Sequence, residues 1–228
     1  MGMMYSALLK SLCSNANTSD HEEVETKLAS LQNAIARALV NCPPSRGWPS
    51  FLPDSDFKTL IDDFNVECVL TELDIKSPEK RAGIMKDCRK VFAILVFIDM
   101  ASAIVKVWKS GFKDEHLPLR QLNPTESKER YTLALKHDNS PKNKLLQGFQ
   151  SSKWTYKKES DFVRDQWMFL APIFVANRDD LIEYPLDESE PPPLVYKDDT
   201  PIGSGGFGSV YKARIHRAHQ TSLEPVSF

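Results

Sequence analysis

Three glycines carry the spacing most able to do chemistry. Gly203, Gly205 and Gly208 form G-x-G-x-x-G within IGSGGFGSVYKARI, Ile202 to Ile215, and Val210 stands two residues past the last of them. Glycine lacks a Cβ, so the backbone can fold tightly over phosphates and bring its N–H groups close to the oxygens. The candidate nucleotide-binding residues are Ile202, Gly203, Ser204, Gly205, Gly206, Phe207, Gly208, Ser209 and Val210. Phe207 at the tip would shield phosphates from water. Val210 would sit under an adenine ring, and Ile202 would help roof it. The competing reading is a β-hairpin whose glycines serve only the turn.

Other reactive residue types are less organised. Cys13, Cys42, Cys68 and Cys88 are far apart and contain no C-x-x-C pair. That argues against a zinc site and a disulfide scaffold, and for reduced thiols in an intracellular, cytoplasmic protein. His216 and His219 are spaced i, i+3 without a nearby carboxylate or cysteine cluster, so no metal site is expected and both fall in a solvent-facing tail. Gly2 and Ser6 match the loose myristoylation pattern, and Asn17-Thr18-Ser19 matches a glycosylation acceptor. MGMMYSALLK has no basic leading region and Lys10 cuts its apolar run, so it does not read as a secretory signal.

The elements that must position the glycines come before them. A net charge of -2 gives no global pull toward nucleic acid, which is not an expected partner. Ser19 and Glu22 have the form of a capping box, followed by a helical stripe of Val24, Leu28, Leu31, Ile35 and Leu39 that Pro43-Pro44 would end. Asp54 or Ser55 would cap a short helix through Phe57, Leu60, Ile61 and Phe64, with an apolar run from Val66 to Leu73 after it. Ser77-Pro78 reads as an N-cap with proline at the first helical position. The pattern predicts one long central helix from there to about Lys109, stopped by Gly111. Its apolar stretch, Val91 to Val105, contains Asp99 and is too short to span a membrane, so it reads as a buried core helix.

A further helix is expected around Glu126 to Leu135. His137 to Lys144 is turn-like, and Leu145, Leu146 and Phe149 return to the bundle. Trp154, Phe162, Trp167, Phe169 and Phe174 read as core fillers, with a helix from Glu159 to about Leu170 ending before Pro172. Pro185 to Thr200 is rich in proline and acid and reads as an extended connector. The fold class is therefore mainly α: a helical bundle, a linker and an isolated β-hairpin. The divisions are residues 1–184, a helical regulatory or interaction domain; 185–198, the linker; and 199–228, the glycine-loop segment.

The flanks narrow the ligand. A dinucleotide fold leads a helix out of the glycine turn, whereas Ser209-Val210-Tyr211-Lys212-Ala213-Arg214-Ile215 alternates like a strand. Ile202 through Ala213, IGSGGFGSVYKA, resembles the nucleotide-binding loop of eukaryotic serine/threonine protein kinases. The upstream region is similar to the helical regions preceding kinase domains in predicted filamentous-fungal proteins, on KVFAILVFI (Lys90 to Ile98), LPL (Leu117 to Leu119) and QWMFLAPIF (Gln166 to Phe174). The resemblance implies the first β-hairpin of a kinase N-lobe, ATP with magnesium as cofactor, and protein serine/threonine phosphorylation in a longer parent. The pattern departs from the family in its chemistry. Lys212 belongs to the second strand and cannot serve as the strand-three lysine. His216-Arg217 is followed by Ala218, and Asp161-Phe162 by Val163, so neither the catalytic-loop nor the metal-binding motif is present. The expectation is a truncated N-lobe that binds ATP weakly and catalyses nothing. The alternative is a non-enzymatic helical adaptor whose hairpin is a relic and whose helical domain binds a protein partner.

Overall fold

The computed structural model describes residues 25–41, 49–122, 133–136, 144–175, 184–196 and 200–221. Within them the chain is mainly helical, with small, separate strand pairs. Helix α1, Lys27–Ala38, starts where the Thr26 hydroxyl accepts the Ala29 N–H at 3.1 Å. It buries Leu31 and Ile35 from the expected stripe, together with Ser30 and Ala34. The capping box at Ser19 and the Pro43-Pro44 stop lie outside the described residues. Helix α1 ends at Ala38, and Val40 then exchanges two backbone hydrogen bonds with Phe51.

Two helices replace the single one expected after Asp54. Helix α2 spans Asp54–Leu60, and α3 spans Asp63–Glu72. The chain re-caps at Asp62, whose carboxylate accepts the Asn65 N–H at 2.8 Å. That restart rotates the stripe, leaving Phe64 exposed while Val66, Val69 and Leu70 are buried.

The predicted long helix starts as expected and then breaks twice. The Ser77 hydroxyl accepts the Lys80 N–H, with Pro78 in the first turn of α4, Pro78–Asp87. Cys88 interrupts the helix with φ -136°. Helix α5, Arg89–Phe97, begins there because the Asp114 carboxylate accepts the N–H groups of Lys90 at 3.0 Å and Val91 at 2.9 Å. Asp99 makes the second break at φ 58°. Met100 N–H reaches back to Leu95 and Asp99 N–H to Val96, the paired bonds of a Schellman ending. A 3₁₀ turn, Ala101–Ala103, leads into α6, Ile104–Lys109, which ends just before Gly111 as expected. Val91 through Val96 are all fully buried, so α5 is the centre of the core.

The rest of the unit wraps this axis. Strand β1, Leu119–Gln121, pairs antiparallel with β2, Leu133–Leu135, so the end of the helix expected at Glu126 to Leu135 is strand instead. Gln166 explains the strand. Its side-chain amide accepts from the Leu119 N–H and donates to the Leu119 carbonyl, both at 2.7 Å, as a neighbouring strand would. The 3₁₀ segment Lys144–Phe149 returns to the bundle and seats Leu146 and Phe149 in the core. Helix α7, Tyr156–Asp165, and the 3₁₀ turn Gln166–Phe169 cover the helix expected from Glu159. Phe149, Trp154 and Phe162 meet with ring centroids 5.0 to 6.0 Å apart, so these aromatics do fill the core.

Beyond α7 the chain forms three strand pairs. Strand β3, Phe174–Val175, lies parallel to β8, Gln220–Thr221. Strand β4, Leu194–Tyr196, lies antiparallel to β7, Ala213–Ile215. Strands β5, Gly203–Gly205, and β6, Gly208–Val210, form the glycine hairpin. The stretch expected to be a bare connector therefore ends in a paired strand, and Pro191, Pro192 and Pro193 before it are buried. Its partner strand lies on the far side of the hairpin in sequence, which hides the pairing from local pattern. Among the described residues no helix is long and apolar enough to cross a membrane.

Candidate functional site

The glycine segment folds as strand, turn, strand. Gly203 stands opposite Val210, Ser204 opposite Ser209, and Gly205 opposite Gly208, with Gly206-Phe207 as a two-residue turn. The Ile202 N–H extends the ladder by donating to the Val210 carbonyl at 2.8 Å. The Ser204 and Ser209 hydroxyls face each other at 2.9 Å and share a hydrogen bond. Gly208 has φ +144°, which L side chains rarely adopt, so the turn itself demands glycine there. Cβ atoms built on Gly203, Gly205, Gly206 or Gly208 would meet nothing within 4 Å. Packing therefore does not require these glycines.

Every residue from 200 to 210 is exposed. Phe207 stands wholly in solvent, and Ile202 and Val210 are 71% and 61% exposed. The base-binding role expected of Ile202 and Val210 needs an opposing apolar surface. None stands against them among the described residues. The hairpin is thus an open, exposed backbone turn with one aromatic tip.

The exit strand does not continue the hairpin. After Tyr211 and Lys212 the chain turns into β7 and pairs with β4. Leu194, Tyr196, Ala213 and Ile215 form the more buried face of that ribbon, and Val195 and Arg214 form the exposed one. A pocket of about 300 Å³ lies here, lined by Val195, Lys212, Ala213 and Arg214. Lys212 and Arg214, two residues apart, bring two cationic side chains to its lining. The K-x-R alternation is visible in the sequence, but the pocket depends on the β4 pairing.

His216 and His219 correct the expectation of a solvent-facing tail. His219 is 2% exposed. Its Nε2 accepts the Asp54 N–H at 3.1 Å, and its Nδ1 lies 2.9 Å from the Pro172 carbonyl. Phe51 meets the two imidazoles edge-on, 5.9 Å from His216 and 5.3 Å from His219. Burial pushes both imidazoles below their ordinary pKa. No local signal could have found this cluster, since Asp54 lies 165 residues from His219.

The remaining groups with shifted pKa values are structural in setting. Burial pushes the Cys88 thiol up to about 12, and its S–H donates to the Phe112 carbonyl. Burial likewise raises Glu159 to about 7. Among the described residues no group of three His, Cys, Asp or Glu could hold a metal ion. No protein-family model matches the chain, and neither the curated proteins nor the solved structures contain a match to it.

Proposed function

We propose that the chain carries the phosphate-lid hairpin of a protein-kinase-type nucleotide site, joined to a helical regulatory or interaction unit. In the parent architecture Gly203 to Val210 would cover the phosphates of ATP, and protein serine or threonine hydroxyls would be phosphorylated. The observation that carries this reading is the strand–turn–strand form of the hairpin. A dinucleotide site would lead a helix out of the third glycine, but the residues after Gly208 are extended through Val210.

The residues present fit a phosphate group in part. The turn is open around its glycines, and its backbone can approach an oxyanion without steric obstruction. Magnesium has no holder among the described residues, so none is assigned to this chain. The work left to these residues is to orient phosphates and exclude water from one side. Among the described residues the hairpin stands exposed, and a two-stranded hairpin on its own is marginally stable, which keeps affinity weak.

The second reading is a non-enzymatic adaptor, in which the helical unit binds a partner protein and the hairpin is a relic. The absence of an apolar wall facing Ile202 and Val210 among the described residues favours it. Titration of the isotopically labelled chain with MgATP separates the two. The lid reading expects amide shifts confined to residues 202–210, saturating with a Kd on the order of 1 mM or weaker, about -4 kcal/mol. No shift at these amides up to about 10 mM MgATP, roughly 2.7 kcal/mol of binding, would remove the nucleotide reading. Micromolar affinity would refute the claim of weak binding.

A further inference from the structure

We propose that His219 is a proton-operated latch that fastens the hairpin-bearing segment to the helical unit and releases it when the imidazole gains a proton. This holds whether or not the hairpin grips a nucleotide.

One neutral form of the ring satisfies both partners at its nitrogens. Pro172 presents a carbonyl to Nδ1, so Nδ1 must carry the hydrogen. Asp54 presents an N–H to Nε2, so Nε2 must be the bare acceptor. Both partners belong to the helical side: Asp54 opens α2, and Pro172 leads into β3. His219 stands immediately before β8, which pairs with β3. Three residues back, the His216 N–H donates to the Pro193 carbonyl at 2.7 Å, and the His216 carbonyl accepts the His219 N–H at 2.8 Å. The hairpin itself is exposed throughout, so its attachment runs through these flanking bonds.

A second proton converts the latch into a conflict. Nε2–H would point at the Asp54 N–H, two donors would face each other, and a buried ring would become charged. The surroundings pull both ways. The Asp54 carboxylate and the carbonyls of Pro172 and Leu52 favour the charged ring, and Lys90 on α5 opposes it. Around His216, Asp56 favours the charged ring, and Arg217 and a charged His219 oppose it. Burial is the largest influence and holds the His219 pKa below its ordinary 6.5. The sign follows from proton counting. Above 6.5 both the latched and released forms are neutral, and the latch is at full strength. As pH falls below that value the released form takes up protons and the latched form does not. The latch weakens until pH passes the depressed pKa, where the loss levels off. Each histidine contributes up to about a tenfold rise in opening per pH unit within that window.

Hydrogen exchange followed by mass spectrometry on the full chain tests this, with rates corrected for the intrinsic pH dependence of exchange. The expected result is that protection of residues 213–221 falls between about pH 7.5 and 5.5, by up to about tenfold for each histidine, while α5 stays protected. His219→Gln keeps a carbonyl acceptor and an amide donor but cannot be protonated, so its pH-dependent loss of protection is expected to shrink to the part that His216 contributes. Equal protection of residues 213–221 at both pH values in the unmodified chain would overturn the latch. So would an unchanged pH profile in His219→Gln. A ¹⁵N spectrum of the unmodified chain at neutral pH supplies an independent reading: His219 is expected as the Nδ1–H tautomer, and the Nε2–H tautomer would overturn the assignment.

Discussion

Replacing Gly148 with alanine tests where the 144–149 segment sits. A Cβ at Gly148 would lie 2.5 Å from the Val107 Cα, 2.8 Å from the Val107 nitrogen and 2.9 Å from the Lys106 carbonyl oxygen. Comfortable carbon contacts are about 3.5–4.0 Å, so the segment must retreat by roughly 1 Å. The obstructing atoms are backbone of α6 and cannot rotate away. Retreat would also strain the Ser110 hydroxyl, which lies 2.7 Å from the Val107 carbonyl and 2.8 Å from the Leu145 carbonyl. It would loosen the contact of the Phe149 ring with Phe112, 5.1 Å between centroids. Overpacking of this kind costs about 1–3 kcal/mol. Alanine recovers about 0.5–1 kcal/mol of backbone entropy relative to glycine. The clash wins, and the net loss is roughly 1–2 kcal/mol. In a chain of this size that lowers Tm by about 2–8 °C. Thermal unfolding followed by circular dichroism measures it, with Gly206→Ala as control. A Cβ on Gly206 meets nothing within 4 Å, so the control is expected to stay within about 0.5 kcal/mol of the unmodified chain. A Tm for Gly148→Ala equal to or above the control would refute the seating of this segment on α6.

Two further outcomes follow from the carboxylates of Glu159, buried, and Asp114, half-buried. Glu159 on α7 has its pKa raised by burial from 4.5 to about 7, so its contribution to stability is full below 4.5 and is lost as pH rises through about 7. Glu159→Gln cannot ionise and is expected to gain stability relative to the unmodified chain between about pH 4 and pH 8; parallel pH–Tm profiles for the two proteins would contradict this. Asp114→Ala removes the acceptor for the Lys90 and Val91 N–H groups at the start of α5, and is expected to lower stability by about 0.5–2 kcal/mol in urea unfolding. A change in midpoint too small to resolve would show that α5 does not depend on this cap.

What the residues determined alone is local in its physics. Ser77-Pro78 starts a helix, Gly111 follows the end of one, Leu31 and Ile35 share a buried face, and Val91 to Val96 form the core axis. Each follows from spacings within a turn or two of helix. The glycine turn was legible for the same reason, since a two-residue loop is decided by the residues inside it. Tertiary structure decided the rest. The long apolar helix divides at Cys88 because Asp114, 24 residues from Lys90, supplies the cap for a new start. It divides again at Asp99, where aspartate occupies a left-handed ending that glycine would have announced. Strand β4 looked like linker until β7 came beside it from beyond the hairpin. His219 looked like tail until Asp54 and Pro172 closed on its two nitrogens. In each case the deciding partner is distant in sequence. A hydrogen bond or a burial energy belongs to two groups at once, and a one-dimensional pattern displays only one of them.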